Sequence, residues 1–187
     1  ELGYEQYEVS NFAKEGYRSR HNRKYWLGQE YVGVGPSAHS DFGGRRYSYV
    51  RDLEGYISGM LNGGVIVDSS EMIPLEERGY EYLMLRMRTV EGIEGNEYSS
   101  TFRMNFTPVE KKLERFRDSG WVVQEDNGRW HFTPTGFLLS NQLIGELLES
   151  QEENRLEVML ATHRAQQAAE AAAAKKKAAG QTEAEEG

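Results

Sequence analysis

Two histidines stand near the start of the chain, His21 in "RSRHNRKYW" and His39 in "GVGPSAHS". A neutral imidazole is a competent metal ligand, and aromatic rings beside it can pack on a flat ligand. Tyr25 and Trp26 follow His21 closely enough to serve that way. Arg18, Arg20 and Arg23 could pair with the carboxylates of such a ligand, because a guanidinium matches a carboxylate through two parallel N–H donors. The competing reading is a loop histidine bonded to backbone, with Tyr25 and Trp26 in a core.

The elements that would position these residues fall into three pieces. Residues 1–50 show two or three short strands and little helix. "EYVG" reads as a buried strand over Tyr31–Val34 that stops at Gly35-Pro36, and Gly43-Gly44 marks a turn into the alternating "RRYSYV". Such a piece cannot bury its own sheet faces, so it belongs to a larger sheet or barrel. Residues 51–149 read as a mixed domain. "RDLEGYISGMLNGG" places Leu53, Tyr56, Ile57, Met60 and Leu61 at helical spacing before a Gly63-Gly64 stop. In "SEMIPLEERGYEYLMLRMRTVEGI" the residues Tyr80, Leu83, Met84 and Met87 share a helix face. "TPVEKKLERFRDSG" predicts a helix capped by Thr107, "WVVQEDNGRWHFT" a hairpin through Asp126-Asn127-Gly128, and "TPTGFLLSNQLIGELLE" a last helix. That order is winged-helix-like. Residues 150–187 are rich in Ala, Glu and Lys with no apolar stripe after Leu160, which predicts a frayed, solvated helical tail. Residues 51–148 are expected to fold alone, and residues 1–49 only in contact with them.

Composition narrows the chemistry. There is no cysteine, which excludes disulfides, thiolate zinc sites and a Cys-ligated cluster within these residues. No apolar run approaches the length of a membrane span, and "ELGYEQYEVSNF" has no signal-peptide pattern, so the expected location is the cytoplasm. The chain opens on Glu1 instead of methionine, which suggests a piece cut from something longer. Of the net charge of −8, residues 51–150 carry −7, from ten Lys/Arg against seventeen Asp/Glu. Lys111, Lys112, Arg115 and Arg117 sit on the helix before the hairpin, but Glu110, Glu114 and Asp118 are interleaved with them. Phosphate binding needs a net positive face, so no nucleic-acid partner is expected. His131 alternates with Trp130 and Phe132 as an ordinary strand residue. There is no GxSxG, P-loop or HExxH. Neither catalytic nor metal-ligating residues are assigned.

"YEQYEVSNFAKEGYRSRHNRKYW", "YVGVGPSAHS", "GRRY", "EERGYEYLMLRMRTVEGI" and "LERFRDSGWVV…HFTPTGFLLSNQLIGELL" occur in that order. Together, over roughly residues 1–150, they resemble the end of the catalytic barrel and the C-terminal domain of the radical-SAM coproporphyrinogen III oxidase-like family. "HNxxYW" matches its heme chaperone branch, HemW, more closely than its oxygen-independent oxidases. The resemblance implies an α+β chain: the last strands of a partial radical-SAM (β/α) barrel, then a winged-helix-like domain, then the tail. It implies His21, with Tyr25 and Arg20, as heme contacts. Asn22, Arg23, Gly33, Gly35, Ala38 and His39 would line the cofactor and substrate cavity, although Gly33 equally suits a tight strand exit. Glu5, Glu8, Ser10 and Asn11 could also face that cavity. The intact parent would carry S-adenosylmethionine and a [4Fe–4S] cluster, whose Cys-x-x-x-Cys-x-x-Cys loop is missing here, so radical chemistry by these residues alone is not expected. The implied partners are heme or porphyrin and a heme-accepting protein. Two other readings stand: an oxygen-independent coproporphyrinogen III oxidase and a non-enzymatic winged-helix interaction module.

Overall fold

The computed structural model describes residues 2–185, with side chains as far as Ala173. It divides into two compact units, Glu1–Leu148 and Glu149–Gly187. In the first unit, β1 (Glu5–Gln6) pairs antiparallel with β2 (Phe12–Ala13). The short helix α1 (Arg20–Trp26) starts at Ser19, whose hydroxyl accepts the Asn22 N–H at 3.2 Å.

The buried strand expected over Tyr31–Val34 does not form. Only Tyr31 is bridged, to Asp41, while Val32 and Val34 are 53% and 88% exposed. Gly33 lies against the His39 carbonyl, and Gly35 turns the chain at φ +108, so no register continues past Tyr31. The next strands, β3 (His39–Phe42) and β4 (Arg45–Tyr49), form a hairpin through the expected turn at Gly43 and Gly44, both at positive φ (62 and 75). Helix α2 (Leu53–Asn62) also follows expectation. Asp52 caps it by accepting the Gly55 N–H at 2.6 Å, and Gly63 ends it at φ 68. Strand β5 (Val67–Met72) was not expected, since "VDSSEM" has no apolar alternation and is exposed throughout. Backbone pairing to β4 makes it the edge of a sheet ordered β3-β4-β5. Among the described residues the strands form three small sheets and no closed barrel.

Helix α3 (Leu75–Arg86) begins after Pro74, with Leu83 on its buried side and Met87 just beyond its end, both fully buried. Helix α4 (Gly95–Phe102) is absent from the sequence expectation, because Gly, Asn and Ser are weak helix formers. Glu94 initiates it by accepting the N–H groups of Asn96 and Glu97 at 2.9 and 2.6 Å, and buried Tyr98 anchors it. Helix α5 (Thr107–Asp118) corrects the expected Thr107 cap. Phe106 holds the N-cap position and Thr107 is the first helical residue, its N–H bonded to Asn105 Oδ1 at 3.1 Å. Phe106 is buried beside the Tyr98 ring at 5.6 Å, which draws the helix start back one residue. The hairpin β6 (Val122–Gln124) and β7 (Trp130–Phe132) turns Val122, Trp130 and Phe132 into the core. Thr133 caps α6 (Pro134–Leu138), and Leu139 breaks the expected single last helix before α7 (Ser140–Glu185).

In the second unit the same helix runs on to Glu185. Alanine, Glu and Lys cost little in helical geometry, and every residue from 155 to 173 is exposed, as the missing apolar stripe requires. Residues 186 and 187 lie outside the described residues. None of the described helices is long and apolar enough to cross a membrane.

Charge ties the β3-β4-β5 sheet to α3. Arg78 Nη2 donates to Asp41 Oδ1 at 2.6 Å, Arg46 donates to Asp41 at 3.2 Å, and Arg46 also reaches Glu81 at 3.0 Å. The Arg78 hydrogen bond, seconded by Arg46, holds the Asp41 carboxyl below its ordinary range despite partial burial. A carboxylate with a depressed folded pKa stabilises the fold fully above its unfolded pKa of about 4, and that contribution is lost as pH falls through the folded value. Urea unfolding should therefore show stability falling below about pH 4 more steeply in the native chain than in Arg78→Met. Parallel acid limbs for the two proteins would refute the assignment.

Candidate functional site

The α1 helix and the β1–β2 turn enclose an open pocket of about 360 Å³. Asn22, Tyr25 and Trp26 line it from α1, Glu8, Ser10 and Asn11 from the turn, and Leu85 from α3. Positions 22, 25 and 26 are one helical turn apart, so a single face of α1 supplies all three. Opposite them, Glu8 is fully buried, and its carboxylate accepts the Ser10 N–H at 3.0 Å and the Asn11 side-chain amide. The turn is secured to the segment after α3 by Val9 N–H to the Arg88 carbonyl at 2.8 Å and by the Glu8–Thr89 bridge.

Tyr25 is the centre of an aromatic row. Its ring meets His21 edge-on at 5.1 Å between centroids and Tyr31 at 4.7 Å. Burial, and then the Asp41 carboxylate, push the Tyr31 phenol above its ordinary range, so it stays a neutral hydrogen-bonding group beside Tyr25. His21 and Arg20 are exposed on α1, and Tyr25 is 41% exposed.

Arg23 Nε and Nη2 both donate to Glu91 Oε1, at 2.9 and 2.6 Å, so the guanidinium is engaged within the protein. The second group of expected cavity residues lies on another segment. Gly33, Gly35, Ala38 and His39 do not line the 360 Å³ pocket. Gly33 donates its N–H to Ser40 Oγ at 3.0 Å, the Ala38 carbonyl accepts the Tyr49 N–H at 3.0 Å, and His39 stands exposed opposite Ser48. Glu91 and Leu85 were missed, because "TVEGI" and "YLMLR" carry no spacing that points across 60 residues to α1.

Residues 73–139 match the model of the HemN C-terminal domain. Along most of its length the chain resembles the HemN- and HemW-like proteins. It is 31% identical over 173 residues to the heme chaperone HemW of Synechocystis sp., covering 82% of this chain and 42% of that protein. The Bacillus subtilis heme chaperone HemW is 27% identical over 146 residues, covering 78% of this chain and 38% of the relative. The solved structure of coproporphyrinogen III oxidase (HemN) from Escherichia coli, a radical SAM enzyme, superposes with a TM-score of 0.56 at 15% identity, over 79% of this chain and 37% of that one. That likeness concerns the fold alone. The chain spans about two fifths of the length of the HemW relatives it matches.

Proposed function

We propose that this HemW-like chain binds heme at α1 and belongs to a heme chaperone that passes the heme to an acceptor protein in the cytoplasm. The observation that carries the reading is the exposed His21 on the "HNRKYW" helix, flanked by Tyr25 and by a pocket lined by the same helix. An imidazole in its neutral form offers a nitrogen lone pair to the cargo iron, and an exposed aromatic edge can cover part of a porphyrin face. Arg20, also exposed, is the guanidinium left to pair with a propionate, since Arg23 is held by Glu91. Asn22 would place an amide at the pocket rim. Gly33, Gly35, Ala38 and His39 remain candidates for a cavity wall completed by residues outside this sequence. Without cysteine these residues offer no thiolate for a [4Fe–4S] cluster. We further read α4, α5 and the β6–β7 hairpin as a winged-helix-like arrangement that serves as a lid or docking surface.

Hemin titration followed by absorption spectroscopy tests the reading. The native chain is expected to give a Soret shift that saturates near one equivalent, and His21→Ala to weaken it at least ten-fold. Identical titrations of the two proteins would overturn it.

A further inference from the structure

Helix α1 has seven residues and none of them is buried. Apolar burial therefore holds its rotation only loosely, with Trp26 half-buried at the pocket shared with Leu85, and a helix this short has little stability of its own. Yet the function proposed above needs one particular face turned outward. The contact that can supply this is the pair between Arg23 and Glu91.

Successive residues of a helix are about 100° apart, so Arg23, two positions after His21, projects from nearly the opposite side. Holding Arg23 against the α3–α4 connection thus turns His21 away from it. The holding group is itself rigid. Val90 N–H bonds to the Tyr7 carbonyl at 3.2 Å, and Gly92, at φ +56, packs on the Trp130 carbonyl next to the Ile93–Trp130 bridge. Glu91 lies between these two fixed points, in the α3–α4 connection. Its Oε1 receives both Arg23 bonds and has Arg18 Nη1 at 3.9 Å. Oε2 is buried with no hydrogen-bond partner among the described residues. The carboxylate therefore gives up solvation on one oxygen to hold a guanidinium with the other, an arrangement that favours defined geometry over net stability.

We propose that Glu91 is a positioning residue: through Arg23 it sets the rotation of α1 and presents His21 outward. The proposal rests on the heme reading for its purpose, but the clamp itself can be measured without heme.

The test uses the full chain as native protein, Glu91→Gln, Arg23→Gln and the exchanged pair Arg23→Glu/Glu91→Arg. Amide hydrogen exchange is read over residues 20–26 and, as a reference, over residues 107–118. Each single variant is expected to lose at least ten-fold in protection over residues 20–26 with residues 107–118 unchanged, and the exchanged pair to recover part of it. Hemin titration should fall at least ten-fold in each single variant and recover in the exchanged pair, a rescue that general destabilisation would not produce. Unchanged protection over residues 20–26 in both single variants would overturn the proposal. Should native chain and His21→Ala titrate hemin alike, the heme reading falls, while the exchange result still decides whether Glu91 holds α1. If Glu91→Gln fails to fold, Arg23→Gln removes the same contact from the exposed side and decides the matter.

Discussion

Trp130→Ala is expected to lower the unfolding free energy by about 3–5 kcal/mol, the range for deleting a large buried aromatic side chain. Trp130 is 2% exposed on β7 within the cluster that includes Ile93, Val109 and Phe132. Its backbone exchanges two hydrogen bonds with Ile93, at 2.8 and 2.9 Å, and the Arg117 guanidinium lies over its ring at 5.5 Å. Truncation removes apolar burial and the cation–π contact together, and leaves a cavity that the hairpin and helices can only partly close. Since domains of this size are stable by about 5–15 kcal/mol, the variant would lose a large share of its margin. Urea unfolding monitored by circular dichroism checks this, with Trp130→Phe expected to retain most of the lost stability. A loss below about 1 kcal/mol for Trp130→Ala would place the ring outside the core.

Gly92→Ala should be comparably severe, for a different reason. Gly92 has φ +56, a region that costs an L side chain about 1–2 kcal/mol. More seriously, a Cβ there would run into the Trp130 carbonyl and come within 2.9 Å of His131 Cβ. Relief requires parting the Ile93–Trp130 bridge, whose two bonds contribute about 1 kcal/mol each, so the total loss should reach about 3 kcal/mol. Gly128 supplies the control. It too has positive φ (82) but no atom within 4 Å of an added Cβ, so Gly128→Ala should cost only the backbone penalty of about 1–2 kcal/mol. Equal losses at the two glycines, measured by urea unfolding, would rule out the close approach as the deciding factor. Gly92 also adjoins Glu91, so its replacement should loosen the clamp on Arg23.

Much of the fold was legible because local chemistry decides it. Asp52 and Gly63 bound α2, Thr133 caps α6, and Gly43-Gly44 turns β3 into β4, each by an interaction within a few residues. The alternation of Trp130, His131 and Phe132 put the two aromatic rings inward and the histidine half out. Strand β5 and helix α4 were not legible, since pairing to β4 holds the one and burial of Tyr98 anchors the other. The same division runs through the site. "HNRKYW" carried the resemblance that named the candidate heme contacts but did not announce a helix; in the folded chain, helical spacing puts Asn22, Tyr25 and Trp26 on one face. Residue types alone also left Arg23 available to a propionate, and only the folded chain reveals that Glu91, 68 positions away, already occupies it. By itself the sequence named side chains whose chemistry suits a heme ligand, because ligand chemistry belongs to residue type, and it did so through the family resemblance of "HNRKYW". Which of them face outward was decided by tertiary structure, because a seven-residue helix with no buried residue takes its rotation from what it is attached to.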